Sequence, residues 1–457
     1  MAHQTFRGFL AELERDHPEE VLTIDDSVSP KYQIQALIAE LERRGRFPAL
    51  RFPRVQGTSM PVVSNFFASR SRLALGLGVP VDKLAQEVGI RSREYIKPVK
   101  TSEAAFQEVS VTGDDIDLFK LPLITHFPVD AAPYITAGLL CARHPETGLE
   151  TAGFHRIMVK GRNRCGISLH SRRRMWEFQR RAEELGKPLE VAVVLGFPIA
   201  VYLGALAYHL PADVGKYSVM GGLLGEPLKV AQCKSIDVTV PAGVEMVLEG
   251  RILPGAREPE GPFGEWTGYS SSRSTNNVVE FARLSYRKQP MYLDIAGGMS
   301  SDHVASIAII REDEIMRALN RTLPNVRRVH VPASGASGLT CYIQMKKTLE
   351  GQPKQAFITA LSVEYYIKFI VVVDEDIDIF NEREVAWAVY TRSSAEKMTL
   401  LPGGMGAVLD PMSDPQTNTI TKIGIDATLP LTGKVAERLR LPDEATRWAS
   451  DVLTRHS

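Results

Sequence analysis

The segment PEGPFGEWTGY, residues 259–269, places Glu260 and Glu265 five positions apart among prolines and glycines. Residues at this spacing point to opposite faces of a strand, and they lie about 140° apart around a helix, so neither regular element brings the two carboxylates together. The residues that break both elements are Pro259, Gly261, Pro262 and Gly264. An irregular loop could turn both carboxylates into one pocket, where their pKa values would separate into those of an acid and a base. The alternative, which composition alone favours, is a surface turn with two solvated glutamates.

The chain as a whole has the composition of an ordinary globular protein. Its 457 residues predict two or three domains at about 150 residues each. The 54 basic and 54 acidic side chains leave a net charge of zero, which argues against a nucleic acid or an acidic membrane surface as partner. We therefore expect a small molecule or another protein as the partner.

Two further absences in the sequence limit the class of protein. There is no leader-like apolar start and no apolar run of about 18 residues, so we expect a cytoplasmic protein without a membrane span. The cysteines lie far apart without a CxxC pair, which argues against a structural zinc site and suits a reducing compartment. These cysteines are Cys141, Cys165, Cys233 and Cys341.

The pattern of apolar residues changes twice along the chain. Helix and strand patterns mix in the first third, where TFRGFLAELERD (5–16) predicts a helix that starts at Thr5. Residues from about 116 form β-rich segments broken by proline and glycine. From about 311 helices and strands alternate again, which predicts a βαβ arrangement. LPDEATRWASDVLTR, residues 441–455, predicts a terminal amphipathic helix that docks on a neighbouring subunit.

TAGFHRIMVKGRNRCGISLH, residues 151–170, supplies a second candidate site. Alternation in FHRIMV predicts a strand with Arg156 on the same face as Phe154 and Met158. An arginine among apolar residues requires a carboxylate or phosphate partner, so Arg156 is either a site residue or part of a structural ion pair. His170 at the end of this segment is either a site residue or an ordinary histidine.

Two other charged segments are candidates for a phosphate site and for a cation site. LPADVGKYSVMGGLLGE, residues 210–226, predicts a glycine-rich turn in which Lys216 neutralises a phosphate, and the alternative is a loop with a solvated lysine. The acidic run DEDIDIF, residues 374–380, lacks the spacing of a calcium loop and predicts a solvated strand end. The sequence has no HExxH or GxSxG motif.

Taken together, these segments resemble the UbiD family of prenylated-flavin-dependent decarboxylases, and the resemblance covers nearly the whole chain. The segments that carry it are DLFKLPLITHFPVDAAPYITAG (117–138), HPETGLETAGFHRIMV (144–159), LEVAVVLGFPIA (189–200), LPADV (210–214), PEGPFGEWTGY (259–269), IVVVDEDIDIFNEREVAWAVYTR (370–392) and KIGIDAT (422–428). The order of PEGPFGE after an R-x-M-V strand is the most specific of these features.

The resemblance implies a mixed α/β fold of the α+β type. Its parts would be an N-terminal α/β region (1–115), a central split β-barrel that binds the flavin (116–310), a C-terminal α/β oligomerisation domain (311–440) and a C-terminal helix (441–457). The resemblance also implies a homodimer or homohexamer.

The same resemblance implies an acid–base network of Glu260, Arg156 and Glu265 beside prenylated FMN. The flavin would act as the electron sink through a covalent adduct with the substrate. Glu265 would return a proton to the carbon that loses carbon dioxide, while Arg156 and Glu260 set its charge state. The protein would then be a carboxy-lyase that obtains its cofactor from a flavin prenyltransferase.

Cofactor residues follow from the resemblance position by position. They are Thr151, Gly153, Phe154, His155, Arg156, Leu169, His170, Lys216 and Lys422. In the family a divalent metal at the flavin phosphate is held by Asn, His and Glu, and these positions are here Thr151, His170 and Lys216. We expect the Lys216 ammonium to replace much of the metal's charge, leaving K⁺ or a weakly bound Mn²⁺ or Mg²⁺ with His170 as the remaining metal ligand.

The substrate is the part of the function that the residues constrain least. We expect an aromatic or heteroaromatic acid of the indole, pyrrole or hydroxybenzoate type, with LPGGMGAV, residues 401–408, closing the pocket. The alternatives are a cinnamate-type α,β-unsaturated acid and a non-catalytic flavin-binding paralogue. A metal hydrolase built on His170 and the glutamates lacks enough ligands.

Overall fold

The structure is a computed structural model that describes residues 3–169, 174–433 and 436–456. Its N-terminal part contains α1 (Phe6–Asp16), β1 (Val21–Thr23), α2 (Gln33–Arg43), β2 (Ala49–Phe52), β3 (Val62–Ser64), α3 (Arg70–Leu77), α4 (Leu84–Arg91), β4 (Val99–Lys100) and β5 (Val109–Thr112). The predicted first helix is confirmed: the Thr5 hydroxyl accepts a hydrogen bond from the Gly8 amide at its start, and its apolar face is buried.

The central part is dominated by strands. It contains β6 (Tyr134–Ile135), β7 (Leu139–Arg143), β8 (Glu150–Phe154), β9 (Ile157–Val159), β10 (Arg164–Ile167), α5 (Arg174–Glu184), β11 (Leu189–Leu195), α6 (Ile199–Leu206), α7 (Lys216–Leu224), β12 (Lys229–Gln232), β13 (Thr239–Pro241), β14 (Met246–Glu260), β15 (Ser274–Tyr286) and β16 (Tyr292–Leu293). Strand β16 pairs in parallel with β3, so the central part contributes a strand to the N-terminal sheet.

The C-terminal part has the predicted alternation of helices and strands. It contains α8 (Ser301–Asn320), β17 (Val326–His330), β18 (Thr340–Met345), α9 (Gln352–Val363), β19 (Phe369–Asp374), α10 (Glu382–Arg392), β20 (Met398–Met405), β21 (Thr419–Ala427) and α11 (Asp443–His456). Strands β18, β19 and β21 pair in parallel at the centre of a five-stranded sheet. Helix α8 links this part to the centre, because Ile309 and Ile310 pack in the large core while Ile315 and Leu319 pack in the C-terminal core.

The central sheet is curled into a half-barrel. Its nine strands run in the order β6-β9-β10-β15-β14-β11-β7-β8, with β5 also paired to β15. Strands β8 and β9 are six positions apart in this order, which would separate them by about 29 Å in a flat sheet. Only His155 and Arg156 join them, and three Cα steps reach about 11 Å, so the sheet must curl until its two ends meet. The predicted mixed α/β fold with a split barrel is confirmed.

The predicted continuous strand FHRIMV is wrong, because the closed sheet divides it between two strands. Phe154 ends β8, which pairs with β7, whereas Ile157 begins β9, which pairs with β6 and β10. His155 and Arg156 therefore cross the gap between the two ends of the sheet, here called the seam, and the alternation does not continue through them. Within the described ranges, no helix is both long enough and apolar enough to cross a membrane. The domain boundaries at 115, 310 and 440 stay predictions.

Candidate active site

The two glutamates lie at the end of a long strand and in the loop that follows it. Strand β14 runs through Pro259 to Glu260, where Glu260 pairs with Ser274 of β15. The expectation that Pro259 excludes a strand is therefore wrong. Strand β11 pairs with β14 only as far as Ile252, whereas β15 pairs with β14 as far as Glu260. Among the described strands, the end of β14 is therefore paired on one side, like an edge strand, and proline is tolerated in edge strands.

Arg156 at the seam binds both carboxylates. Its Nε lies 3.0 Å from Oε1 of Glu260 and its Nη2 lies 2.7 Å from Oε2, a two-pronged pairing. Its Nη1 donates to Oε1 of Glu265 and also to the Ser271 hydroxyl, which is 2.9 Å away. The network expected from the sequence is thus assembled around one guanidinium, and the solvated-turn alternative does not hold, because Glu260 is 0% and Glu265 8% exposed.

Backbone hydrogen bonds fix the loop that carries Glu265. The Glu265 amide donates to the Tyr269 carbonyl at 2.9 Å, which closes a tight turn. The Gly264 amide donates to Oδ1 of Asp130 at 2.9 Å, while Oδ2 of the same carboxylate accepts the Phe127 amide. Phe127 is packed so closely on this loop that a Cβ on Gly264 would lie 2.5 Å from its ring. Glu265 is therefore held by a loop with little freedom to move.

Burial raises the pKa of the Glu265 carboxyl above its usual value. The positive charge of Arg156 opposes this shift, whereas the negative charges of Glu260 and Asp130 add to it. A carboxyl with a raised pKa keeps its proton closer to neutral pH, which a general acid requires. The geometry therefore gives Glu265 the properties of an acid beside a fixed arginine.

Sequence reasoning missed two donors to Glu260. The Tyr134 hydroxyl lies 3.1 Å from Oε1 of Glu260, and Nδ2 of Asn276 lies 2.8 Å from Oε2. Tyr134 comes from β6 and Asn276 from β15, so their meeting depends on strand order and register. No local pattern in the sequence could have identified them.

Most of the predicted cofactor residues lie in β8 and at the seam. Thr151, Gly153 and Phe154 belong to β8, with Thr151 2% exposed. His155 follows at the seam, and its Nδ1 lies 3.1 Å from the Ser168 carbonyl oxygen. Leu169 is 9% exposed, while His170 lies outside the described residues.

The predicted glycine-rich turn around Lys216 is a helix in the structure. Lys216 begins helix α7 and is buried, rather than lying solvated in a loop. Its ammonium donates to the carbonyl oxygens of Ala205, at 2.7 Å, and Ala207. The glycines in this helix allow close approach to other backbone, because a Cβ on Gly221 would lie 2.3 Å from the Ile96 carbonyl. Tertiary packing therefore overrides the low helix propensity of the segment.

The start of α7 lies against the start of β8. A Cβ on Gly215 would lie 3.3 Å from the carbonyl oxygen of Glu150, the residue before Thr151. The residues that precede Lys216 and Thr151 therefore lie close together, while the Lys216 ammonium itself binds backbone carbonyl groups. The described residues contain no group of three or more His, Cys, Asp or Glu side chains able to hold a metal ion.

Lys422 lies in β21 of the C-terminal sheet. Its ammonium donates to the carbonyl oxygens of Ile367, at 2.7 Å, and Tyr365. Burial lowers its pKa to about 8. Among the described contacts, no hydrogen bond or ion pair joins Lys422 to Arg156 or its carboxylates. Residues 401–408 include exposed side chains such as Leu401, at 45%, in the neighbouring strand β20.

Trp266, directly after Glu265, contacts the C-terminal part of the molecule. Its ring centroid lies 6.0 Å from that of Tyr366, and the Arg311 guanidinium carbon lies 5.7 Å from the Trp266 ring. Arg311 in turn donates from Nε to Glu364 at 3.0 Å. The loop that carries Glu265 is thus supported from α8 and from the segment after α9.

Two buried polar groups near the network fit a bound polar molecule. The Thr267 hydroxyl and the Asn277 amide nitrogen have no hydrogen-bond partner among the described residues. Buried polar groups are seldom left unpaired in native proteins. Thr267 is two residues from Glu265, and Asn277 pairs with Ile167, two residues before Leu169. A cofactor or substrate with hydrogen-bonding groups would satisfy them.

Comparison with known families agrees with this architecture. Three domain models of the 3-octaprenyl-4-hydroxybenzoate carboxy-lyase (UbiD) family match this chain. The N-terminal domain model matches residues 12–91, the Rift-related domain model residues 97–300 and the C-terminal domain model residues 305–427. The chain belongs to the UbiD family. The expected enzyme class, a carboxy-lyase, is confirmed with it.

Individual relatives cover almost the whole chain. The anhydromevalonate phosphate decarboxylase of Methanothermobacter thermautotrophicus is 32% identical over 420 residues, covering 90% of this chain and 95% of the relative. The UbiD-class enzyme HmfF of Pelotomaculum thermopropionicum in complex with FMN has a TM-score of 0.91 at 35% identity, covering 98% and 99% of the two chains. An evolved dimeric form of HmfF in complex with prFMN has a TM-score of 0.87 at 34% identity, covering 97% and 98%. Apo 3,4-dihydroxybenzoic acid decarboxylase of Enterobacter cloacae has a TM-score of 0.90 at 28% identity, covering 99% and 100%.

Proposed function

We propose that this UbiD-family protein is a prenylated-FMN-dependent decarboxylase of an aromatic or heteroaromatic acid, of the indole, pyrrole or hydroxybenzoate type. In this proposal Glu265 protonates the product carbon. The observation that carries it is the buried network in which one arginine binds Glu260 and Glu265. The proposal is supported by the relatives that bind FMN or prFMN and by the relative that decarboxylates 3,4-dihydroxybenzoic acid.

Loss of carbon dioxide from an unsaturated carbon leaves an electron pair on that carbon, and the prenylated flavin supplies the electron sink for it when bound. Glu265 then gives up the proton that its raised pKa has retained, and a C–H bond replaces the broken C–C bond. The resulting Glu265 carboxylate is stabilised by Nη1 of Arg156 until solvent returns a proton. We expect the rate to fall as pH rises through the raised pKa of Glu265.

The residues that would hold the flavin lie on β8, at the seam and at the start of α7. In this proposal Thr151, Gly153, Phe154, His155 and Leu169 would hold the flavin, and His170, which lies outside the described residues, is proposed with them from the family resemblance alone. Lys216 would place its positive charge at the phosphate from its position beside the start of β8. Lys422 would approach the flavin from the C-terminal domain.

The charge of Lys216 decides how a metal would bind. We propose that the ammonium carries much of the charge that a divalent ion carries elsewhere in the family, so K⁺ or a weakly held Mn²⁺ or Mg²⁺ is sufficient. Metal analysis of the purified holoenzyme tests this, because one tightly bound divalent ion per chain would contradict it. A Lys216→Gln variant should lose flavin affinity, measured by fluorescence titration with FMN.

The function is tested by co-expressing the protein with a flavin prenyltransferase. The purified protein should show the absorbance of prenylated FMN, release carbon dioxide from an aromatic or heteroaromatic acid, and exchange the product proton for deuterium. Bound cofactor without release or exchange on any acid would instead favour a flavin-binding paralogue without turnover.

A second substrate class has a specific observation in its favour. The anhydromevalonate phosphate decarboxylase is 32% identical over most of the chain, and its substrate is not aromatic. The substrate panel should therefore include cinnamate-type and aliphatic α,β-unsaturated acids. Turnover confined to these acids would replace the aromatic proposal and leave the role of Glu265 unchanged.

We further propose a homodimer or homohexamer assembled through the C-terminal part. Helix α11 presents large apolar side chains to solvent: Trp448 is 66% and Leu453 69% exposed, and Leu441 just before the helix is 77% exposed. Apolar side chains in such a patch are typical of an interaction surface. Light scattering on the purified protein measures the oligomer, and a monomer would contradict the proposal.

A further inference from the structure

The carboxylate of Glu260 is saturated with donors. Its Oε1 is within reach of Nε of Arg156 at 3.0 Å and the Tyr134 hydroxyl at 3.1 Å. Its Oε2 is within reach of Nη2 of Arg156 at 2.7 Å and Nδ2 of Asn276 at 2.8 Å. A carboxylate has about four lone-pair sites, so these contacts use its whole accepting capacity. With 0% exposure, Glu260 depends on these donors in place of water.

Each neutral donor is held near Glu260 by a second contact, although the Tyr134 hydroxyl also has the Pro262 carbonyl oxygen at 3.4 Å. The Tyr134 ring packs on Phe263 with 4.5 Å between centroids. Asn276 also donates from Nδ2 to the Ser274 hydroxyl at 2.8 Å, which directs the amide nitrogen rather than the oxygen toward the carboxylate. On the other side of Glu260, a Cβ on Gly166 would lie 3.3 Å from its Cγ, so the glutamate itself has little room.

The two donors also keep their protons over the working pH range. An amide does not titrate, and burial together with the Glu260 charge raises the pKa of the Tyr134 hydroxyl far above neutral. Glu265 differs in this respect, since its described side-chain contact is with Nη1 of Arg156 and it is 8% exposed. One carboxylate is therefore fixed as an acceptor, while the other has capacity left for a proton.

We propose that Tyr134 and Asn276 are positioning residues that hold the Glu260 carboxylate against Arg156, and thereby help to keep the acid proton on Glu265. The inference rests on the proposed role of Glu265 as the acid. If a donor is lost, the Glu260 carboxylate is no longer held in place, its charge adds less to the raised pKa of Glu265, and Glu265 loses its proton at lower pH. Arg156 then faces an ionised Glu265, which cannot protonate the product carbon.

The size of the effect follows from the strength of a hydrogen bond to a charged group. Loss of one such bond corresponds to about one pH unit, which sets the scale of the change in the titration of Glu265. Tyr134→Phe and Asn276→Leu should each move the alkaline limb of the kcat profile down by about one unit. Asn276→Gln keeps a donor amide and should return the profile toward that of the wild type.

A cofactor-free measurement separates this inference from the proposed function. Infrared difference titration of wild type against Glu265→Gln isolates the carbonyl stretch of protonated Glu265 without any substrate. We expect the midpoint of this titration to fall by about one unit in Tyr134→Phe and in Asn276→Leu. Matched controls are Tyr292→Phe, at a buried tyrosine of β16, and Asn325→Leu, at an asparagine whose amide also donates two hydrogen bonds.

Each outcome identifies which idea fails. Unchanged midpoints in Tyr134→Phe and Asn276→Leu, in variants that melt as cooperatively as the controls, would overturn the inference even if the enzyme turns over. Shifted midpoints in a wild-type background that decarboxylates no acid would support the inference and reject the proposed function. A lower rate with an unmoved pH profile would mean that the two residues are merely structural.

Discussion

Two of the clusters in which one arginine binds two carboxyl groups have different properties. The site cluster consists of Arg156, Glu260 and Glu265. The acidic-turn cluster consists of Arg392, Asp374 and Asp376, where all three hydrogen bonds from Arg392 to the aspartates are 2.8 Å long. Each cluster pairs one arginine with two carboxyl groups at hydrogen-bond distance.

The clusters differ in burial and in the number of cations. Arg438 adds a second cation to Asp376 at 3.1 Å, and the Asp376 side chain keeps 22% exposure. Hydrogen bonding to Arg392 lowers the pKa of Asp376 to about 2, although burial raises that of Asp374. The site cluster has one cation for two buried carboxylates, and burial raises the pKa of Glu265. The pKa of Glu265 is therefore raised where burial outweighs a single cation, and the pKa of Asp376 is lowered where two arginines bind a partly exposed carboxylate. The acidic run is held by arginines rather than being the simple solvated strand end expected from the sequence.

The largest expected effect is on turnover. Glu265→Gln should lower the rate by about 10²–10⁴-fold, because a positioned general acid contributes on that scale. The variant should still bind the flavin, measured by its absorbance, with carbon dioxide release and deuterium exchange as the rate readouts. Asp376→Asn is the matched change in the other cluster and should leave the rate near that of the wild type. Near-wild-type turnover in Glu265→Gln would refute the assignment of the acid.

The next effect is on stability. Arg156→Met should destabilise the fold by about 3–5 kcal/mol, because it leaves the buried Glu260 charge without its main partner. Arg392→Met should lower the free energy of unfolding less, since Asp376 keeps Arg438. Urea unfolding measures both. Adding Glu260→Gln to Arg156→Met should recover part of the loss, and no recovery would mean that the charge is not the cause.

Glu265 and Asp376 should contribute to the pH dependence of stability with opposite signs. The folded pKa of Glu265 is raised, so its contribution is present below the unfolded value of about 4.3 and is lost as pH rises through the folded value. The folded pKa of Asp376 is about 2, so its contribution is present above the unfolded value and is lost as pH falls toward the folded one. Wild type should therefore lose stability relative to Glu265→Gln as pH rises, and relative to Asp376→Asn as pH falls. If the stability of wild type relative to each variant changed in the same direction with pH, the comparison would be contradicted.

The smallest expected effect concerns the second cation of the acidic turn. Arg438 is 28% exposed in its pair with Asp376, and partly exposed pairs of this kind contribute about 0–1 kcal/mol. Arg438→Gln should therefore change the urea midpoint slightly and more weakly at high salt. A larger loss would mean that its packing on Trp387, with 4.7 Å from guanidinium carbon to ring centroid, carries the stability.

The sequence was sufficient for features that depend on local order. The capped start of α1 follows from a short motif, whereas the site cluster follows from the family resemblance, because its residues taken alone favoured a solvated turn. It was insufficient where distant segments meet. The break at His155 and Arg156 depends on the order of nine strands, and the donors Tyr134 and Asn276 depend on which strands end beside Glu260. Helix α7 forms because its glycines pack on distant carbonyl groups, which helix propensity does not report.

The seam also limits how this family member can change length during evolution. One inserted residue between β8 and β9 would displace the chain by about 3.3 Å, whereas hydrogen-bond lengths vary by only about 0.5 Å. The turn from His144 to Leu149 between β7 and β8 is a surface connection, where insertions are ordinarily tolerated. We therefore expect insertions and deletions to accumulate at that turn, while the two-residue spacing at the seam stays fixed.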